Sequence, residues 1–190
     1  IDAYQKIVEL DDADGGAIDA LERLYSRLER WNDLQEIYTR KIDLVDDAEE
    51  KKQVLDRLGA LYQHQLAQPD EAIEIYQHIL DLDPENHAAM QSLEELYQQT
   101  GRWNDSLQLL ERQIDLVDPS SSKGAELRYR VGKLWQTEMG DQTRAIETYR
   151  EVLNVDPAHE ATVEALWGIV HGDDDPVFAA EVLRPVLEEQ

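Results

Sequence analysis

The sequence predicts an all-α solenoid, a stack of antiparallel helix pairs, and three observations carry that prediction. The chain repeats itself: residues 20–47 and 92–119 align at an offset of 72, and Leu21, Leu24, Tyr25, Trp31, Asn32, Asp33, Arg40, Ile42, Asp43, Leu44, Val45 and Asp46 all recur. Self-similarity at a fixed spacing marks an array of stacked units rather than one closed core. Apolar residues then recur at three and four, as in Leu21, Leu24, Tyr25, Leu28 and Leu34, Ile37, Tyr38, Ile42, Val45, with no alternating strand pattern. Finally, breakers fall at short intervals, so sequential helices are joined by a few residues and must be antiparallel neighbours.

The repeat extends beyond that core. Residues 3–25 match 75–97 without a gap, and 54–84 match 127–157 at an offset of 73. Gly59 thereby answers Gly132, Tyr62 answers Trp135, Ala72 answers Ala145, Tyr76 answers Tyr149 and Pro84 answers Pro157. A third copy starts at Glu160 and drifts; Leu166 answers Leu93, but no tryptophan recurs at the place of Trp103. Ile1 aligns with Ile73, inside a helix of the next copy, so the sequence reads as an excerpt of a longer chain. The expected organisation is a single solenoid over 1–190 with half-units at 1–10, 16–46, 48–83, 86–118, 121–156 and 159–190.

Helices are expected at 2–10, 17–29, 33–46, 48–66, 70–82, 87–100, 105–117, 121–139, 142–155, 159–171 and 176–189. Asn32 and Asn104 precede helical runs and are expected as N-caps. Pro69 and Pro176 suit first-turn positions, where a missing N–H costs nothing. Pro84 and Pro157, each after Asp, close the preceding helices. Pro185 lies inside the last run, and the helix is expected to kink or restart there. Ala72 and Ala145 are small where two helices approach. Gly59 and Gly132 sit mid-helix, where glycine costs about 0.5–1 kcal/mol against alanine, and the repeated cost predicts a close backbone crossing. Trp31 and Trp103 are expected to wedge the second helix of a hairpin against the first. The first and last helices are expected to leave apolar faces open, Ile1, Tyr4, Ile7 and Val8 at one end and Leu183, Val186 and Leu187 at the other. Self-association of the excerpt through its ends is therefore an expected possibility.

The chain has 18 Lys and Arg against 42 Asp and Glu, a formal net charge of −24. Phosphate binding needs clustered cations, so this balance counts against nucleic-acid and anionic-membrane surfaces. The expected role of the acidic residues is to solvate the outer faces of the helices; adaptation to high salt, or a basic partner, is the alternative. Cysteine is absent, which excludes disulfides and thiolate metal sites. No apolar run approaches membrane-spanning length, and a cytoplasmic location is expected.

Leu55, Leu58, Gly59, Tyr62, Ala72, Tyr76 and Asp83-Pro84 resemble the tetratricopeptide repeat consensus, and Val131, Gly132, Trp135, Ala145, Tyr149 and Asp156-Pro157 fit it equally. The alternate half-units depart from it. They carry Glu22 and Glu94 where glycine is expected, and Leu34 and Ser106 at the small second-helix position. The paired style also resembles long acidic arrays in large bacterial proteins. The resemblance implies a right-handed superhelix whose first helices line a concave groove for a partner protein or peptide. It places Asp19, Arg23, Arg27, Asp56, Gln63, Gln91, Glu95, Gln98, Tyr129, Arg130, Lys133 and Gln136 at that surface, together with Ser26, Ala60, Glu164 and His171. The positions where a carboxylate-clamping member would carry asparagine are Arg23, Ala60, Glu95 and Lys133, so that clamp is not implied. Arg23 with Arg27, and Lys133 with Arg130, form separate cationic spots on an acidic body.

Catalytic patterns are missing. The five histidines lie on separate segments without a His-Glu-x-x-His arrangement. Asp11-Asp12-Ala13-Asp14-Gly15 and Asp173-Asp174-Asp175 are only fragments of a calcium loop, and acidic capping explains them as well. No catalytic residue, metal or cofactor is therefore expected. The leading expectation is a non-catalytic scaffold that binds a protein or peptide on its concave face. A structural spacer, an RNA-processing scaffold acting through protein contacts, and a regulatory arm of an enzyme encoded outside the excerpt are the alternatives.

Overall fold

Eleven amphipathic segments become eleven helices in the computed structural model, which describes residues 1–172 and 176–188. They are α1 (Asp2–Leu10), α2 (Gly15–Arg27), α3 (Trp31–Leu44), α4 (Ala48–Leu61), α5 (Pro69–Leu82), α6 (His87–Thr100), α7 (Trp103–Asp115), α8 (Ser122–Thr137), α9 (Gln142–Val155), α10 (Glu160–Val170) and α11 (Pro176–Glu188). α4 continues as a π-helical turn over Tyr62–Leu66, closed by the Gln68 amide on the Tyr62 carbonyl at 2.9 Å. No strand occurs among the described residues. The expected boundaries hold to within two residues. The Asp173-Asp174-Asp175 fragment and the expected helix end at 189 lie outside the described residues.

Helix starts follow side-chain chemistry. Asp14, Asp47, Ser121 and Asp141 each accept a first-turn amide, at 2.7, 2.8, 3.0 and 3.0 Å respectively. Pro69 is the first residue of α5, where its ring preorganises the turn. Asn32 and Asn104 are not the caps the sequence suggested. α3 and α7 begin two residues earlier than expected, at Trp31 and Trp103, after Arg30 and Arg102. Those arginines reach forward instead, to Asp33 at 2.7 Å and Asp105 at 2.6 Å, and lie over the Tyr25 and Tyr97 rings at 4.9 and 5.6 Å. Among the described residues no side chain accepts a first-turn amide at either helix; the acid in the first turn contributes through its charge near the helix N-terminus. α11 runs through Pro185 without restarting.

The turns repeat as faithfully as the helices. Glu29 and Ala67 have φ of 56° and 52°, and their repeat equivalents Gly101 and Gly140 have 67° and 65°. The same left-handed step is thus taken by glycine in one copy and by a side-chain-bearing residue in the other.

The helices form two compact units, Ile1–Leu96 and the residues from Tyr97 onward, with the division inside α6. In the first unit Val8, Ile18, Leu21, Tyr25, Leu34, Ile37, Tyr38, Val54, Leu58 and Leu61 share one core, and Trp31 and Tyr62 pack against it partly buried. In the second unit Ile146, Tyr149, Leu153, Leu166, Ile169 and Leu183 form one core and Leu107, Leu110, Leu127 and Val131 another, with Trp135 touching both.

Ala72 and Ala145 are fully buried, as small residues at close approaches should be. The repeated glycines have a different reason from a backbone crossing. A Cβ at Gly59 would stand 2.9 Å from the Tyr76 ring, and one at Gly132 only 2.6 Å from the Tyr149 ring. An aromatic ring, not a neighbouring backbone, fills the space that glycine leaves. The expected open face at the C-terminal end is also corrected. Leu183 and Val186 are buried in the second unit's core, because α11 turns them toward α9 and α10; the side chain of Leu187 lies outside the described residues.

Candidate functional site

The second unit contains an open cavity of about 530 Å³ between α7 and α8. α7 contributes Trp103, Ser106 and Leu110 to its lining, and α8 contributes Glu126, Tyr129, Arg130, Lys133, Leu134, Thr137 and Glu138, with Gln98 from the end of α6. Four residues expected at the groove, Gln98, Tyr129, Arg130 and Lys133, are therefore brought together. The helical spacing explains the set. Glu126, Tyr129, Arg130, Lys133 and Thr137 recur at three and four and share one face of α8.

One substitution between the repeat copies helps to open this space. Ser106 is the equivalent of Leu34, which is 3% exposed and packed in the first unit's core. Serine at that place keeps the backbone path and removes most of the side-chain volume. Trp103 and Leu110 supply apolar walls, while Glu126, Arg130, Lys133 and Glu138 on the α8 side make the rest of the lining mixed in charge. Lys133 is exposed, and among the described residues it makes no ion pair. A cavity with this lining can take an apolar group against the indole and an anionic group at the lysine.

The aromatic wall is held from behind. The Tyr129 ring stacks on the buried Tyr149 ring at 5.9 Å and meets the His159 ring at 5.3 Å. His159 caps α10: its Nδ1 lies 2.8 Å from the Thr162 hydroxyl and 3.3 Å from the Thr162 amide. Its Nε2 lies 3.3 Å from the Glu126 carboxylate. An acceptor role for Nδ1 leaves the proton on Nε2, facing that carboxylate. Sequence reasoning missed His159 and the α7 wall, because it assigned the groove to first helices only.

The other expected residues are placed elsewhere. Gln136 accepts the Tyr149 hydroxyl at 2.8 Å, and its repeat equivalent Gln63 accepts that of Tyr76 at 3.3 Å, so both amides serve buried tyrosines. Burial holds both phenols above the usual tyrosine range. In the first unit Asp56 lines a smaller cavity of about 300 Å³ beside Glu49, Lys52, Arg57 and Asn86. Asp19 pairs with Lys41 at 2.7 Å, and the Arg23 guanidinium donates to the Asp19 carbonyl at 3.1 Å. Arg27 is exposed, and Gln91 makes a long contact of 3.5 Å with Glu95.

Lys41 anchors a charge cluster that the sequence did not reveal. It also binds Glu22, which Arg57 meets at 3.0 Å, so α2, α3 and α4 are cross-linked by ion pairs. Partial burial pulls the Lys41 pKa down, but hydrogen bonds to Asp19 and Glu22 outweigh it and leave the ammonium above its ordinary range.

Trp103 gives the site a stability test. The indole is half-buried, so Trp103→Ala is expected to cost about 1.5–3 kcal/mol, less than a fully buried ring. Thermal melting measures this, and a wild-type transition would show that the indole does not wedge α7 against its neighbours.

Comparisons with known proteins agree with this architecture. Family models described as tetratricopeptide repeat match residues 17–52, 63–127 and 125–159. The crystal structure of MamA aligns with 89% of the chain and 94% of its own, at 19% identity and a TM-score of 0.50, which is a likeness of fold. YrrB, described as a TPR protein with an unusual peptide-binding site, aligns with 85% of the chain and 79% of its own, at 18% identity and a TM-score of 0.47. BtubC from P. vanneervenii aligns with 98% of the chain and 85% of its own, at 16% identity and a TM-score of 0.49. No curated protein matches the sequence significantly. No helix among the described residues is long and apolar enough to cross a membrane.

Proposed function

The chain is a tetratricopeptide repeat protein, and from that premise we propose that it is a non-catalytic scaffold whose second unit holds a segment of a partner protein in the α7–α8 cavity. The observation that carries this reading is the joining of Gln98, Tyr129, Arg130 and Lys133 around one open space with apolar walls. The bound segment presents an acidic side chain to Lys133 and an apolar one to Trp103 and Leu110. Rigid aromatic walls lose little conformational freedom on binding, and a cation at the rim adds selectivity and association rate more than affinity. The concave-face residues of the first unit, Asp19, Arg23, Arg27, Asp56, Gln91 and Glu95, extend the same proposal to a second contact region. A cytoplasmic setting belongs to the proposal on the sequence expectation alone.

The test is affinity capture with Lys133→Glu against a control charge reversal, Lys123→Glu, at the exposed start of α8. Both variants are checked by circular dichroism. A partner that binds wild type and Lys123→Glu but loses at least tenfold in affinity for Lys133→Glu is expected. Equal retention by Lys133→Glu would move the binding surface off this groove.

A further inference from the structure

The internal repeat supplies a control for the first unit's cavity of about 300 Å³, which lies between α4, the end of α5 and the start of α6. At the offset of 73, Asp56 answers Tyr129 and Asn86 answers His159. Asn86 and His159 do the same capping work: Asn86 accepts the Ala89 amide at 3.0 Å, and His159 accepts that of Thr162 at 3.3 Å. The aliphatic positions are also shared, because Ile79 and Ala88 line the cavity and the copy has Val152 and Ala161 there. The rings make the difference. In the second unit the Tyr129 and His159 rings meet at 5.3 Å and fill the space between their helices. In the first unit neither residue has a ring, and the cavity stands at that place.

The charges around the cavity are not balanced within the chain. Lys52 is held by Glu49 at 2.8 Å and Asp83 at 2.9 Å, and Arg57 by Glu22 at 3.0 Å. Both lining cations therefore already have carboxylate partners. Asp56 is exposed, and among the described residues it has no ion pair or hydrogen bond. Gln53, one helical turn earlier on the same face, is likewise exposed and without a hydrogen bond among them. The copy of Gln53 is Glu126, whose carboxylate lies 3.3 Å from His159 Nε2. The second unit thus fills the space with a flat group whose ring N–H meets a carboxylate. The first unit keeps a carboxylate and leaves the flat donor out.

The chain's own arginines show what fits such a place. Arg30 binds Asp33 at 2.7 Å while its guanidinium lies over the Tyr25 ring, and Arg102 repeats the arrangement on Asp105 and Tyr97. A guanidinium is planar, stays charged and offers a fork of donors, whereas an ammonium is a compact, strongly hydrated point charge. We propose that the first unit's cavity binds an arginine side chain of a partner protein, its guanidinium on Asp56 and Gln53 and its flat face where the copy has the Tyr129 and His159 rings. The excess of acid in the chain, 42 Asp and Glu against 18 Lys and Arg, favours a basic segment at this surface. The assignment rests on the scaffold reading and names the chemistry that its first-unit contact region recognises. It needs nothing from the α7–α8 cavity.

The test titrates the full chain with a blocked tripeptide, acetyl-Ala-Arg-Ala-amide, and follows backbone amides by two-dimensional NMR, which reads weak binding. Saturable shifts are expected at Gln53, Asp56 and Ala88. Asp56→Asn is expected to weaken binding about fivefold, the upper end for an exposed charge pair. Asp81→Asn, the same charge change at an exposed place on α5 outside the lining, is expected to leave it unchanged. Replacing the arginine by citrulline, its neutral isostere, is expected to abolish the shifts. Asp56→Tyr with Asn86→His rebuilds the second unit's ring pair in the first and is expected to exclude the peptide. The same spectra show that each variant is folded, and Asp56→Asn decides the case by itself. Four results overturn the assignment: no saturable shift, shifts spread along the acidic surface that ignore Asp56→Asn, equal binding of a citrulline or lysine tripeptide, or tighter binding of free arginine, which would make the ligand an amino acid rather than a partner's side chain. Because the probe is the tripeptide and not the partner, these outcomes are read separately from partner capture at Lys133.

Discussion

Tyr149→Ala is expected to cost about 3–5 kcal/mol, the range for deleting a fully buried aromatic ring. The ring is completely inaccessible to solvent, packs over Gly132 and supports the Tyr129 wall of the cavity. Its hydroxyl is engaged by Gln136, so truncation removes the ring volume and a hydrogen bond together. Tyr149→Phe separates the two contributions. It keeps the ring and should lose only about 0.5–1.5 kcal/mol. Urea unfolding read by tryptophan fluorescence measures both, since Trp103, Trp135 and Trp167 all lie in the second unit. Equal losses for the two variants would mean that the hydroxyl, not the packing, holds this core together.

The second large effect is a contrast of sign. Glycine to alanine in a helix normally stabilises by about 0.5–1 kcal/mol, through propensity and a less free unfolded chain. A Cβ at Gly168 in α10 would meet nothing within 4 Å, so Gly168→Ala should gain that amount. Gly132→Ala should instead destabilise by about 1–3 kcal/mol, because its Cβ would overlap two atoms of a buried ring that cannot retreat. Melting the two variants side by side decides the matter. A stabilised Gly132→Ala would show that the Tyr149 ring moves aside at little cost.

The architecture was legible because a repeat reports on itself. The offsets of 72 and 73 placed matched residues in matched environments, and the period of three and four found each helix. What the sequence concealed was the partner of each residue. It marked Gly59 and Gly132 as costly and therefore meaningful, but the ring that fills the gap comes from the next helix. Asn32 and Asn104 resemble caps because capping preference is local, whereas the helices start before them, after Arg30 and Arg102, whose side chains go to an aspartate and a tyrosine ring. The repeat resemblance places the groove on one helix of each pair. One wall, with Trp103, Ser106 and Leu110, comes from α7, where the signal is Ser106 in place of Leu34, a departure from the consensus. The Lys41, Glu22 and Arg57 cluster joins three helices, and no spacing rule within one helix could find it.

The left-handed turns make the two copies unequal in a way that core packing hides. A side-chain-bearing residue in that conformation costs roughly 1–2 kcal/mol, and glycine takes it nearly free. Glu29 and Ala67 carry that cost in the first unit, while Gly101 and Gly140 escape it in the second. Opening a hairpin at Glu29 or Ala67 releases stored torsion, whereas opening its counterpart only gains disorder. Under load or rising temperature, the joints of the first unit are therefore the fuses of the chain, yielding locally while the better-relaxed copy stays closed.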